Sequence, residues 1–322
     1  MNRVYSSRFA DRLTVFIAEK HALGYPYSGS ELILSNFDRF CTERFPDSDA
    51  LSKEVCLAWA VRRSNEGNNC FRNRLSVVRE FARYLNRIGE QVYVIPTTFA
   101  KKGARPTPHI YSEDEIAAIW HEFDNIKPRG GFPVRHIVLP AIVRLLYCCG
   151  LRPCEARKIK VEDTNLFSGK LYIRESKGRR DRIIMLANDV RDYMRDYNEQ
   201  VCRRLPGREW FFPNSTDGLY TKEWLEKEFR IIRSKLNLEY SSSNPPRLYD
   251  FRHTFATHSL YKWLKEGKDL TAMLPYLSAY MGHAQLSDTF YYIHHVPGQL
   301  EAMSGLDFSK YEALLPEVEC DE

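Results

Sequence analysis

A stretch without helical or strand periodicity divides this chain near the end of its first third. Residues 92–115 read VYVIPTTFAKKGARPTPHIYSEDE and contain three prolines, one glycine and a basic cluster. Proline lacks the backbone donor of regular elements, so such a stretch indicates a boundary. The 322 residues are 43% apolar and can bury a sizeable core, which favours two domains. We expect domains at 1–95 and 111–300, a linker at 96–110 and a tail helix at 301–322.

Apolar residues at a spacing of three to four predict helices on both sides of the linker. The first domain contains RFADRLTVFIAEK, SELILSNFDRFCTER and NRLSVVREFARYLNRIG, which together predict a helical bundle. In the second domain Ser112 and Glu115 have the spacing of a capping box, and helices are predicted up to Gly150 and from Arg247 onward. The runs KLYIRES and DRIIMLA, joined by the basic turn KGRR, predict a β-hairpin. The expected fold class is mainly α with a small β-hairpin or sheet in the second domain (α+β).

Positive charge is concentrated in two segments of the chain. The net charge is +5, but residues 301–322 carry seven acids and one lysine, which leaves an excess of eleven positive charges on residues 1–300. Residues 60–105 hold ten Lys or Arg against three acids, and residues 151–182 hold ten against five. A charge run is often just a solvated face, but two basic segments flanking one domain boundary favour a nucleic-acid partner.

The sequence contains no pattern typical of membranes, disulfides or zinc. The first residues lack the apolar stretch of a secretory signal, and no apolar run is long enough to span a bilayer. The eight cysteines include no CxxC pair. We therefore expect a cytoplasmic protein with reduced thiols and no membrane partner.

Several side chains suited to phosphodiester chemistry occur in short motifs. Arg152 lies in GLRPCEA, Lys177 in ESKGRRDR and Arg252 in YDFRHTFATH, and residues 281–295, MGHAQLSDTFYYIHH, add phenols and imidazoles. Each residue alone has an ordinary structural explanation. Together they could attack a phosphodiester, because planar arginine donors match the negative oxygens of its transition state.

The motifs G-L-R-P-x-E-A, S-K-G-R, F-R-H-T-F-A-T-H and G-H-x-x-x-x-x-T-x-x-Y-x-H follow one another in that order. With them, roughly residues 110–300 resemble the tyrosine recombinase (phage integrase) family, most of all the integrases and transposases of bacterial mobile elements. The N-terminal bundle resembles the DNA-binding core-binding domain of that family in size and character. The resemblance implies cutting and rejoining of double-stranded DNA through a 3′-phosphotyrosyl intermediate, without metal, ATP or another cofactor.

The resemblance also implies a role for each motif residue. Tyr292 would be the nucleophile. Arg152 and Arg252 would hold the non-bridging oxygens of the scissile phosphate. Lys177 would protonate the leaving 5′ oxygen, and His283 would hydrogen-bond the phosphate and orient the phenol.

One position departs from the family pattern. Most members have histidine three residues before the second arginine, where this chain has Tyr249. A phenol is a poorer proton acceptor than imidazole at neutral pH, so we expect an altered assisting role with catalysis retained. Glu155 is expected to support the site without touching DNA, and His253 is interpreted as a packing residue.

The family resemblance implies a homo-tetramer on two duplexes, with other recombinases or accessory proteins of the same element as further partners. The amphipathic tail would dock into a neighbouring subunit, and the alternative is that it folds back onto its own domain. Two other functions remain open from the sequence: a type IB topoisomerase-like enzyme, and a DNA-binding accessory protein that has lost catalysis.

Overall fold

A computed structural model describes residues 4–100, 103, 107–174, 181–238, 245–290 and 292. The chain divides into two compact units, Met1–Arg105 and Pro106–Glu322. The predictions for the linker lysines, Lys177 and the tail helix fall outside the described residues. No described helix is long and apolar enough to cross a membrane.

The first unit is a bundle of helices around an aromatic and aliphatic core. Its helices are α1 (Ala10–Ala22), α2 (Ser28–Arg44), α3 (Lys53–Trp59) and α4 (Asn68–Arg87). The longest, α4, buries Leu75, Val78 and Phe81 at the predicted helical spacing. Its Arg79 is also buried and donates from Nε to the carbonyl of Ile95 at 2.6 Å, which fixes the chain beyond the helix.

The second unit surrounds α6, a helix that is buried along most of its length. The helices of this unit are α5 (Glu113–Asp124), α6 (Arg135–Cys148), α7 (Pro153–Arg157), α8 (Asn188–Cys202), α9 (Lys222–Lys235), α10 (Asp250–Lys265), α11 (Leu270–Met281) and α12 (Ser287–Phe290). Helices α5, α8 and α10 pack against α6. The predicted capping box of Ser112 and Glu115 begins α5.

A small antiparallel sheet lies in the same unit. Its strands, in spatial order, are β1 (Thr164–Asn165), β2 (Lys170–Ile173) and β3 (Arg182–Met185). Leu171 of β2 pairs with Ile184 of β3, and both side chains are buried in the core. The two predicted hairpin strands are confirmed, and β1 is an additional short strand. The fold class, mainly helical with a small sheet, is also confirmed.

Candidate active site

Arg152 is placed by a sharp turn between two helices. After α6 ends at Cys148, Gly150 has φ +57°, a left-handed conformation that glycine adopts without strain. A Cβ at Gly150 would overlap Cδ1 of Phe255 on α10, so a side chain here would push this turn away from α10. The turn brings Arg152 to the N-cap of α7. There its backbone N–H and Nη1 donate to Glu155, at 3.0 and 2.6 Å.

Arg252 on α10 is a buried cation, with only 1% of its surface exposed. Its Nη1 donates to the Gly150 carbonyl at 2.7 Å and its Nη2 to the Met281 carbonyl at 2.8 Å. Within the described ranges Nε has no hydrogen-bond partner, and no carboxylate forms an ion pair with Arg252. Burial lowers the pKa of Arg252, but an arginine stays protonated in proteins. A permanent positive charge is therefore enclosed without an acidic partner from this part of the chain.

Three consecutive carbonyls at the end of α11, those of residues 280–282, each accept a hydrogen bond from a different arginine. We call this group the carbonyl hub. The pairs are Arg182 Nε to Tyr280 O (2.9 Å), Arg252 Nη2 to Met281 O (2.8 Å) and Arg152 Nη2 to Gly282 O (3.3 Å). The last carbonyls of a helix lack partners within the helix and carry the negative end of its dipole, so cations are stabilised there. The hub thus places both predicted arginines directly before His283.

His283 is held as a neutral imidazole. Its Nδ1 lies 2.7 Å from the hydroxyl of Thr289, a fully buried residue of α12. Burial and then the charges of the neighbouring arginines lower the pKa of His283 to about 3. The ring is therefore uncharged at neutral pH, and with so low a pKa it is only a weak proton acceptor in the DNA-free protein.

Tyr292 lies beside this imidazole and is 4% exposed. The centroids of the Tyr292 and His283 rings are 5.7 Å apart, with the rings nearly parallel at 18°. Burial raises the pKa of Tyr292 to about 12, against the opposing effect of the Arg252 charge. The phenol is consequently protonated at neutral pH, and it needs a base to become a good nucleophile. Tyr291, the neighbouring phenol, is outside the described residues.

Tyr249 and His253 form one wall of the site. The ring of His253 lies 5.3 Å from that of Tyr249 and 5.4 Å from that of Tyr292. His253, interpreted from the sequence as a packing residue, does pack, but against the predicted nucleophile. Burial works to lower the pKa of Arg152, yet Glu155 and then Tyr249 raise it overall, and Arg152 and Tyr249 line the same cavity.

The structure thus brings together Arg152, Tyr249, Arg252, His283 and Tyr292, which come from three separate parts of the sequence. The sixth predicted residue, Lys177, lies in the undescribed segment 175–180 between β2 and β3. Sequence reasoning missed Arg182, the third arginine of the carbonyl hub. A signal was present, because Arg182 and the buried Ile184 share one face of β3, where a charged residue needs a partner.

A basic cavity of about 590 Å³ opens beside Arg152 and Tyr249. Helix α9 and the chain before α10 contribute four further cations to its lining, namely Lys222, Arg230, Arg233 and Arg247. Glu226 is the acidic residue of the lining. Such a surface suits a polyanion that extends away from Arg152 and Arg252. In the part of the chain that the structure describes, no group of three or more His, Cys, Asp or Glu is arranged to hold a metal ion.

Comparisons with known proteins agree with this geometry. A sequence model of the phage integrase family matches residues 111–298. The protein y4rB of Sinorhizobium fredii, whose name places it among integrases and recombinases, is 28% identical over 310 residues, 94% of this chain and 98% of its own length.

Two solved structures show the same fold. The Tn1549 transposon integrase in complex with transposon right end DNA matches with 11% identity and a TM-score of 0.62, over 91% of this chain and 99% of that one. The lambda integrase tetramer bound to a Holliday junction matches with 16% identity and a TM-score of 0.60, over 85% of this chain and 77% of that one.

Proposed function

This chain belongs to the phage integrase family and is a tyrosine recombinase that cuts and rejoins DNA in site-specific recombination, and we propose that Tyr292 is its nucleophile. Tyr292 has the motif spacing after His283, and its ring lies 5.4 Å from that of His253 and 5.7 Å from that of His283. The family pattern and the position of Tyr292 beside His283 both support this assignment.

The observation that carries the proposal is the enclosed charge of Arg252. Burying a cation without a compensating anion costs on the order of several kcal/mol of folding free energy. Arg152 adds a second positive charge close enough to lower the pKa of Arg252 further. A phosphodiester offers two non-bridging oxygens to these two guanidinium groups, and its arrival would bring Arg252 a negative charge that no described carboxylate supplies through an ion pair.

Strand cleavage begins when the Tyr292 oxygen attacks phosphorus and the bond from phosphorus to the 5′ oxygen breaks. The product is a 3′-phosphotyrosyl ester and a 5′ hydroxyl. The phenolic proton needs an acceptor, and neutral His283 lies beside the ring. The negative phosphate would also offset the arginine charges and so raise the pKa of His283 toward a useful range.

Lys177 is our proposed general acid for the leaving 5′ oxygen. Replacing that oxygen with sulfur gives a leaving group that needs little protonation. Lys177→Ala should therefore be strongly impaired on ordinary DNA and largely restored on the sulfur substrate, whereas Arg152→Ala should stay impaired on both. Equal impairment of Lys177→Ala on both substrates would reject the role.

Rejoining follows when a 5′ hydroxyl attacks the phosphotyrosyl phosphorus and releases Tyr292. The ester keeps the free energy of the original phosphodiester, so exchange of the attacking strand recombines DNA without ATP. We propose that this exchange moves a mobile element, as the names of the integrase relatives suggest.

Double-stranded DNA is the substrate that the basic surfaces support. In the second unit, the cavity beside Arg152 extends the positive surface along α9. In the first unit, α4 exposes Asn69, Arg72, Asn73 and Arg83 on one face, and Glu80, the acidic residue of this face, is paired with Lys20. Arg and Asn side chains read base edges in the major groove, so this face is our candidate for sequence recognition. Lambda integrase binds a Holliday junction as a tetramer, which supports a tetrameric assembly for this chain as well.

A duplex with a nick close to the cleaved phosphate traps the covalent intermediate. After cleavage, the short fragment that carries the new 5′ hydroxyl dissociates and cannot rejoin. We expect wild type and Tyr291→Phe to form a protein–DNA adduct on this substrate, and Tyr292→Phe to bind it with unchanged affinity but form none. An adduct in Tyr292→Phe would reject the assignment. Strand transfer between two added duplexes then separates a recombinase from a topoisomerase.

A further inference from the structure

We propose that Arg182 is a positioning residue that aligns Arg152 with His283 and does not itself touch DNA. The inference rests on the proposed active site and assigns a role to the third arginine of the carbonyl hub. Arg182 begins β3, immediately after the segment that carries Lys177.

The first contact of Arg182 is a two-pronged ion pair with Glu155. Its Nη1 donates to Oε1 at 3.1 Å and its Nη2 to Oε2 at 2.9 Å. The side chains are 9% and 3% exposed. The same two carboxylate oxygens accept the bonds from Arg152 described above. One buried carboxylate is therefore shared between two arginines.

The second contact of Arg182 is with the turn before His283. Its Nε donates to the Tyr280 carbonyl at 2.9 Å. A Cβ on Gly282 would lie 2.8 Å from Nη1, so the Arg182 side chain packs directly against this glycine. Gly282 has φ +68° and ends α11. A single side chain of β3 thus connects Glu155 of α7 with the end of α11.

The sharing of Glu155 between two arginines explains why position 182 needs a cation. Without Arg182, the whole charge of the buried carboxylate would act on Arg152 and draw that guanidinium away from the phosphate. With Arg182 in place, Glu155 is already compensated, and Arg152 can bind the non-bridging oxygens. Arg182 has both terminal nitrogens and Nε engaged within the protein, which leaves it suited to holding the site and not to binding DNA.

Arg208 provides a matched control. It is a buried arginine of the same unit, 6% exposed, and donates to Trp210, Cys202 and Asn198. None of these residues belongs to the proposed site. Arg208→Met therefore imposes the same chemical change without altering the contacts of Arg152 or His283.

The test measures single-turnover adduct formation on two nicked duplexes, one with an ordinary phosphate and one with a neutral methylphosphonate at the cleaved position. In the methylphosphonate a methyl group replaces one negative oxygen, so its transition state carries less negative charge for Arg152 to stabilise. We expect Arg182→Met and Arg152→Ala to form adduct about 100-fold slower than wild type on the phosphate. On the methylphosphonate, both deficits should shrink to about 10-fold or less.

The double variant Arg182→Met with Glu155→Gln gives a second readout. Removing the carboxylate charge releases Arg152, so this variant should be faster on the phosphate than Arg182→Met alone. A role in folding alone predicts the opposite, because two buried contacts are then lost. Arg182→Lys, which keeps the charge, should lie between wild type and Arg182→Met, and it takes the place of Arg182→Met if that variant does not fold.

Suppose that Arg152→Ala behaves as described. The inference is then overturned if the Arg182 variants are slowed equally on both duplexes, or if they form adduct at the same rates as Arg208→Met. If Arg152→Ala forms adduct as fast as wild type, the proposed active site fails, and this inference fails with it.

Discussion

Replacing Arg252 by methionine should slow cleavage about a thousandfold while changing the stability of the DNA-free protein little. Methionine is a flexible apolar side chain that can occupy much of the volume of the arginine. The change removes two hydrogen bonds from a charged donor, at about 1.5–3 kcal/mol each. It also removes the penalty of an uncompensated buried charge, which is several kcal/mol. Because the two contributions oppose each other, the free energy of unfolding should change by no more than about 2 kcal/mol.

The loss of activity follows from the distance at which a guanidinium meets a phosphate. Two unit charges 4 Å apart interact by about 4 kcal/mol at the effective dielectric constant typical of proteins. Losing that interaction in the transition state corresponds to about a thousandfold in rate. Urea unfolding measures the first quantity, and single-turnover adduct formation on a nicked duplex measures the second.

Inorganic phosphate gives a further check on the same residue. An anion that binds only the folded protein stabilises it by mass action. Phosphate should therefore raise the melting temperature of wild type and of Arg208→Met, but not that of Arg252→Met. If Arg252→Met cleaves within tenfold of the wild-type rate, or gains as much stability from phosphate, the reasoning about its enclosed charge is wrong.

Three other predictions concern neighbouring parts of the site. Tyr249→His should keep or raise the rate of adduct formation, and Tyr249→Phe should lose about 0.5–3 kcal/mol of transition-state stabilisation, the range of one hydrogen bond; an inactive histidine variant would contradict this. Gly150→Ala should lower the free energy of unfolding by about 2 kcal/mol or more, because its Cβ would clash with Phe255. The control Gly207→Ala has a similar φ of +72° but nothing within 4 Å, so it should lose less, and equal losses would reject the packing argument. The pKa of His283 is about 3 in the folded state and near 6.5 when unfolded, so the unfolded state binds the extra proton and stability should fall as pH drops below about 6.5. NMR of labelled histidine should show no titration of His283 between about pH 5 and 8, and a midpoint near 6.5 would contradict its burial among cations.

Most of the site could be predicted from the sequence because its residues fall in short motifs with family spacing. Arg152, Arg252, His283 and Tyr292 are each recognisable by neighbours a few positions away. The role of Arg182 was not predictable in this way. It depends on contacts with Glu155 and Tyr280, which only the folded chain brings near β3.

Some secondary-structure elements could likewise be predicted from local sequence patterns, and others could not. Helix α8 was not predicted, although its buried residues Met194, Tyr197 and Val201 have helical spacing. The frequent charges of that segment concealed the pattern. Strand β1 has only two residues, Thr164 and Asn165, and is defined by pairing with β2. No local pattern of that length can indicate a strand.

The polarity and position of the covalent bond test the central claim most directly. The adduct formed by wild type on a nicked duplex can be digested with protease and nuclease, and the peptide that carries the nucleotide can be sequenced by mass spectrometry. We predict a single modified residue, Tyr292, joined to a 3′ phosphate, with a 5′ hydroxyl on the released fragment. A nucleotide on Tyr291 or on any other residue, or a bond to a 5′ phosphate, would contradict the account.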